Sequence, residues 1–392
     1  MAFTFDQIAT VLNTIVQDAT GSASSMGTPR TTKDFVAAAD TALSVGTDPI
    51  MHSISQLLAR TIFSVRPYDP ATALIDMDSL TYGNVVRKIT PIFTGEAETQ
   101  PMFDDQPSDG YSTDQYTVKR PKALETHFTG FSQWEVQAPT VFADQLRSAF
   151  RGPDELGQFL TSQMTAVQNE IASQKEALAH GTIANFIGGK YLRNSAQVRA
   201  VLTDYNNATG LSLTSTTVWQ PANFEAFVKW LYAYIADISD LMTKRNRVFG
   251  EPITGYDILR HTPKRDQRLV MNSFILRAFK TMALSGIYHD DLLSMDNVAA
   301  PIEYWQSINY RQKISVNASY TKADGTVAND GVTQDGIIGI LFDRDAMGCN
   351  VNLESVNTSP MNAKGRYYNT FYHMVRRYFN DLTEQAVVFV MA

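Results

Sequence analysis

Apolar side chains recur at three- and four-residue steps along two long stretches, and each stretch predicts an amphipathic helix. In the first, Leu156, Phe159, Leu160, Met164, Val167, Ile171 and Leu178 share one face. Pro153 stands at the first turn, followed by Asp154 and Glu155 where the helix dipole favours carboxylates. This spacing predicts a helix from Pro153 to His180 and Gly181, about 40 Å long. In the second, Pro221 opens a run with Phe224, Phe227, Val228, Leu231, Ile235, Ile238, Leu241 and Met242 facing a core. Nearer the N-terminus, Ile8, Val11, Leu12, Ile15 and Val16 form a short helical pattern that "GSASSMGTPRTT" interrupts. A further helix is expected over 48–63, closed by "RPYDP".

Between these helices the period changes to that of strands. "LTYGNVVRKITPIF" (80–93) and the extended stretch 112–137 flank "TGEAETQPMFDDQPSDGY", which is acidic and rich in turn residues. Two extended arms with such a tip predict a long hairpin. A two-stranded ribbon is marginal alone in water, so this one is expected to rest on another surface, that of a neighbouring subunit. Downstream, "RLVMN", "PIEYWQSI" and "DGIIGILFD" read as strands and "SFILRAFKTMALSG" as a helix, a mixture that predicts a compact α/β or α+β lobe within a chain of α+β class. "NNATGLSLTSTT" (206–217) and the Gly/Asp/Asn-rich segment 317–336 read as loops.

Near the C-terminus, "RYYNTFYHMVRRYFND" (366–381) interleaves aromatic and basic residues, as a single-strand nucleic-acid platform would. Alternate positions place Tyr367, Phe371, Val375 and Phe379 on one face and Tyr368, Tyr372, Met374 and Tyr378 on the other, so both faces are apolar. A strand covered on both sides has this pattern, whereas a stacking surface needs one aromatic face. "AVVFV" follows after a short turn, so the two segments read as paired strands. Arg376 and Arg377 are then expected at a strand end, available to a carboxylate.

Charge sharpens the choice. The 392-residue chain carries a net charge of -7, which opposes non-specific binding to phosphates. Its single cysteine, Cys349, rules out an internal disulfide and a cysteine-rich zinc site. No basic leader followed by an apolar run opens the sequence, and no stretch is long and apolar enough to span a membrane. Catalytic motifs fail one by one. "FIGGKY" (186–191) has the Gly-Lys of a phosphate loop but Tyr191 in place of the Ser or Thr, and "YHDDLL" offers His289, Asp290 and Asp291 without a second histidine at ligand spacing. No enzyme, cofactor or metal site is expected.

The order of parts (arm, long hairpin, spine helix, mixed lobe, closing strands) resembles the major capsid protein of tailed bacteriophages, the Hong Kong 97 fold. The stretches that carry the resemblance are "TYGNVVRKITPIFTGE", "RPKALETHFTGFSQWEVQAPTVFADQLRSAF", "LSMDNVAAPIEYWQS", "GIIGILFDRDAM" and "KGRYYNTFYHMVRRYFNDLTEQAVVFV". They are most similar to the capsid proteins of small short-tailed phages of the Picovirinae type. The resemblance implies an N-terminal arm (1–65), an E-loop hairpin with flanking strands (66–137), a P-domain with the spine helix (138–200), an A-domain (201–345) and a return to the P-domain strands (346–392). It further implies a virion protein, assembled in the host bacterial cytoplasm, whose copies form the pentamers and hexamers of an icosahedral shell around double-stranded DNA without reading its sequence. A separate scaffolding protein and a portal protein at one vertex are the other expected partners. Because the chain stops at "VVFVMA", no immunoglobulin-like decoration is expected, and no position identifies an inter-subunit Lys–Asn cross-link. Inter-subunit contacts are expected at Glu96, Glu98, Asp104 and Asp105 on the hairpin tip and at Arg376 and Arg377. The alternatives are a nucleic-acid-binding protein using the Tyr/Arg-rich strand, or another structural virion protein.

Overall fold

Residues 86–92, 122–138, 140–145, 153–193, 195–251, 259–279, 299–321 and 327–392, with isolated positions among the first 75, are described by the structure, a computed structural model. Among those isolated positions Leu12 and Phe35 are buried, and 34, 35 and 37–39 are helical. Thr31 and Asp34 cap that helix reciprocally: the Asp34 amide donates to Thr31 Oγ1 and the Thr31 amide to Asp34 Oδ2, each at 3.2 Å. The expected helix over 48–63 lies outside the described residues.

Strand β1 (Val86–Ile92) pairs antiparallel with β2 (Lys122–Phe128), Val86 opposite Phe128 and Ile92 opposite Lys122. The extended stretch expected over 112–137 breaks at Thr129-Gly130, and its second part, β3 (Phe131–Gln137), enters a different sheet. After β4 (Val141–Phe142) comes α1 (Pro153–Arg193), 41 residues or about 60 Å. It runs well past the predicted end at Gly181. An exposed mid-helix glycine costs only about 1 kcal/mol, and the buried Ile183, Ala184, Phe186 and Ile187 beyond it outweigh that cost.

Next come β5 (Val198–Ala200) and α2 (Val201–Thr209), which stops at Gly210 in the left-handed region (φ 72°). Helix α3 (Pro221–Met242) buries the predicted Phe227, Val228, Leu231, Ile235, Ile238 and Met242, but Leu241 is exposed. The chain continues through β6 (Gln267–Asn272), α4 (Ser273–Ala278) and β7 (Ala299–Ile302). The predicted strand "PIEYWQSI" ends at Ile302. Turns follow, in which the Trp305 indole donates to the Ile337 carbonyl at 3.0 Å.

The segment expected as a polar loop over 317–336 is mostly a hairpin, β8 (Ile314–Thr321) with β9 (Val327–Gln334). Asn, Asp and Gly depress strand propensity, but pairing supplies what propensity lacks. Ser315 and Thr333 hydroxyls meet across the strands at 3.1 Å, and Tyr320 donates to Asp330 Oδ2 at 2.7 Å. The last strands are β10 (Ile337–Asp343), β11 (Met347–Thr358), β12 (Tyr367–Tyr368), β13 (Thr370–Asn380) and β14 (Ala386–Val390).

The chain divides into two compact units: residues 1–81, 131–183 and 348–378 form one, and 82–130, 184–347 and 379–392 the other. The first holds a three-stranded sheet, β11-β13-β3, in which Val136, Tyr372 and Met374 pack with Val167 and Ile171 of α1. The second holds a five-stranded mixed sheet, β5-β14-β10-β6-β7. Its central strands β10 and β14 are continuous apolar runs because both faces are covered. Thus β13 and β14 do not pair with each other as predicted. The short turn between them passes from one sheet to the other.

Candidate functional site

The hairpin β1–β2 is fastened at its root. Period-2 alternation turns Lys88 and Thr90 of β1, with Leu124, Thr126 and Phe128 of β2, toward partial burial, and leaves Arg87, Ile89, Glu125 and His127 exposed. The Lys88 ammonium donates to Asp381 Oδ2 at 2.7 Å and also reaches Glu384. Beside it the Phe128 and Phe379 rings lie 5.2 Å apart. Burial alone would lower the Lys88 pKa, but the Asp381 and Glu384 carboxylates outweigh it and hold the group above the ordinary lysine value. For Asp381 burial pushes upward. The Lys88 charge and the Thr383 hydrogen bonds, 2.6 Å from the hydroxyl and 3.0 Å from the amide, win and hold the carboxyl below the usual range.

A second layer lies beneath. Arg260 pairs with Glu384 and donates to Thr383 Oγ1 at 3.0 Å. Lys190, fully buried near the end of α1, spends its three protons on Gln197 Oε1 (2.6 Å) and the carbonyls of Leu382 (2.8 Å) and Glu384 (3.1 Å). Burial pushes the Lys190 pKa down to about 8, against the upward pull of Glu251, Asp381 and Glu384. The glycines before it are spacers. A Cβ on Gly188 would sit 2.9 Å from Ala318 Cβ and Val316 Cγ2, and one on Gly189 would sit 2.9 Å from Leu382 Cδ1. The Gly-Gly-Lys triplet that imitates a phosphate loop therefore lets β8 and the closing turn approach α1, with the lysine turned inward as their anchor. Lys88 and Arg260 pair with the Asp381 and Glu384 carboxylates while Lys190 donates to amide and carbonyl oxygens, so the cluster is a clasp. It ties the hairpin root, the end of α1 and the turn 381–385 together.

The root thus rests on its own chain, which corrects the expectation that the ribbon must lie wholly on a neighbour. The tip residues Glu96, Glu98, Asp104 and Asp105 lie outside the described residues. Arg376 and Arg377 are not at a strand end: both sit within β13, opposite Ser132 and Phe131. The Arg376 guanidinium lies 5.5 Å from the Trp134 ring centroid and donates to Ser132 Oγ at 3.2 Å, and Arg377 is buried. Tyr368 and Tyr372, each 1 % exposed, belong to sheet and core and offer no face to a base. His289, Asp290 and Asp291 lie outside the described residues. Among the described residues no cluster of three or more His, Cys, Asp or Glu could hold a metal, and no helix is long and apolar enough to cross a membrane.

Sequence reasoning missed the clasp because its members, Lys88, Lys190, Arg260, Asp381 and Glu384, are scattered along the chain. The one local hint was a lysine inside an otherwise apolar helical face, "NFIGGKY", which needs an internal partner.

A hairpin on a pinned root, a long helix and a mixed-sheet lobe together define a Hong Kong 97-like capsid fold. The chain is similar to the capsid structure of Staphylococcus phage Andhra, with a TM-score of 0.51 at 9 % identity over 81 % of this chain and 82 % of that one. It is similar also to the structure of the head fiber and inner core protein gp22 of native bacteriophage P68, with a TM-score of 0.50 at 7 % identity over 81 % and 83 %. No curated protein matches the sequence. A family model, Phi29-like phage major capsid protein, matches residues 12–390. The chain belongs to that family: it is a phage major capsid protein, a structural and non-enzymatic component of the virion.

Proposed function

We propose that copies of this chain assemble into the pentamers and hexamers of an icosahedral shell that encloses packaged double-stranded DNA. The lobe 201–345 makes the ring contacts, and the hairpin overlaps a neighbour so that Glu96, Glu98, Asp104 and Asp105 meet basic side chains there. The observation that carries this reading is the β1–β2 hairpin, clasped through Lys88 while Ile89 on its other face stays exposed to solvent. A root fixed on its own subunit and an outer face free for another is what an overlapping contact requires. Arg376, half-buried on β13, is a further contact in this scheme.

Exposed ion pairs contribute only roughly 0–1 kcal/mol each. Repetition over many copies makes them sufficient, and their weakness lets misplaced subunits leave. The net charge of -7 keeps the shell from gripping DNA as it moves in and out. A separate scaffolding protein and a portal complete the assembly, which takes place in the host cytoplasm. Electron microscopy of the purified protein, alone and co-produced with its scaffold, tests the proposal. Closed shells or rings of five and six support it, and a protein that stays monomeric under both conditions overturns it.

A further inference from the structure

Helix α3 spans the five-stranded sheet, with its two ends fixed at opposite ends of β6. At the C-terminal end of α3, the Ser239 hydroxyl donates to Gln267 Oε1 at 2.5 Å and the Gln267 amide donates back to the Ser239 carbonyl at 2.9 Å, at the first residue of β6. At its N-terminal end, Phe224 stacks on Phe274, just past the last residue of β6, with ring centroids 5.9 Å apart. Phe224 and Ser239 are 15 residues apart on the helix, so the two attachments are separated by about 22 Å.

Each end carries an exposed apolar patch, and the two differ. One is aromatic. Trp219 lies 5.5 Å from Phe224 and 5.9 Å from Phe274, and Phe274 is 54 % exposed. Leu211 is exposed on the loop that Asn206 fastens, donating to the Leu213 carbonyl at 2.8 Å and accepting from its amide at 3.0 Å. The only charges on the first three turns of α3 are Glu225 and its partner Lys229. The other patch is aliphatic with a basic rim. Leu241, Val248 and Leu259 are exposed around Asn246, which donates to the Leu241 carbonyl at 3.1 Å, accepts from the Val248 amide at 3.0 Å and bridges by backbone to Arg260. Lys244, Arg245 and Arg247 stand exposed beside it.

Two basic patches brought face to face would juxtapose six cations. An aromatic patch facing a basic one instead offers ring faces and Glu225 to the guanidinium groups. Unlike surfaces at opposite ends of one lobe make a head-to-tail contact, and such contacts close into rings when the rotation allows. Resting on the shell reading above, we propose that the Trp219–Phe224–Phe274 end of one copy seats on the Leu241–Val248–Leu259 end of the next, and that this is the contact that closes the rings.

Phe274→Asp and Val248→Asp, each at an exposed position, remove one end apiece. Shell yield, measured with the scaffold present, is expected to fall at least tenfold for either variant, and light scattering should show each alone as a monomer. Mixed in equal amounts they should give a one-to-one dimer and no ring, because each retains the end that the other lacks. Lys244→Glu with Arg245→Glu, both at exposed positions, should weaken assembly without altering the melting temperature, which keeps the test sound should an apolar replacement unfold the lobe. Dimers formed by either variant alone, or shells formed normally by both, would overturn this contact while leaving the shell reading intact. Failure of the unaltered chain to form rings or shells would overturn both.

Discussion

Lys88 Nζ lies 2.7 Å from Asp381 Oδ2, joining residues 293 positions apart and holding the hairpin root against the turn that precedes the last strand. Both groups are largely buried, so each depends on the other for its charge. Removing one leaves the other buried and uncompensated. Lys88→Met is expected to cost about 3 kcal/mol, seen as a lower denaturant midpoint, and to speed hydrogen exchange at the amides of 86–92 and 122–128 above that of β10 and β14. Equal protection in the two sets would dissociate the clasp from the hairpin.

The pH response of this ion pair follows from the directions of its shifts. Asp381, held below the usual carboxyl value, contributes stability that is full above the unfolded value of 3.8 and is lost as pH falls through its folded value. Asp381→Asn should therefore flatten the acid limb of the pH–stability curve. A parallel shift of the whole curve would show that the carboxylate's charge is not what matters.

Lys190 has the opposite sign for a base. Its folded pKa of about 8 lies below the unfolded 10.5, so between these values the unfolded chain holds a proton that the folded chain has released, and stability rises with pH. Across that window the gain attributable to this residue is roughly 2 kcal/mol. Melting curves of the natural chain and Lys190→Met at pH 8 and pH 10 should differ in slope accordingly, the variant lacking the rise.

Two glycines of α1 should answer oppositely to the same change. A Cβ at Gly181 meets nothing within 4 Å, so Gly181→Ala is expected to add about 1 kcal/mol through helix propensity. At Gly188 the added carbon collides with Val316 and Ala318 of β8, and Gly188→Ala should cost about 1–3 kcal/mol by overpacking. Matching signs in denaturant titrations would show that β8 does not press on the helix.

Replacing Glu96, Glu98, Asp104 and Asp105 together by Ala is expected to lower shell yield several-fold without moving the subunit's melting temperature. Unchanged yield would reject the role proposed for the hairpin tip.

Where the pattern was strong, the sequence was legible. The 3.6-residue period located α1 and α3, continuous apolar runs located β10 and β14, and two apolar faces marked 370–380 as a strand rather than a nucleic-acid platform. Misreadings fell where composition and pairing disagree. Segment 317–336 looks like a loop because Asn, Asp and Gly hide its alternation, and it becomes a hairpin only through its cross-strand partners. Gly181 looked like a stop, and a buried segment beyond it carried the helix to Arg193.

By itself the sequence determined the helices and strands whose apolar period is strong, such as α1, α3, β10 and β14, because those follow from local periodicity. Partnership was decided by the tertiary structure alone: that β13 and β14 join different sheets, that Arg377 turns inward, and that Lys88 and Lys190 converge on one turn. The free energy of a buried charge depends on what surrounds it in space, and neighbours nearly 300 residues away along the chain leave no local trace.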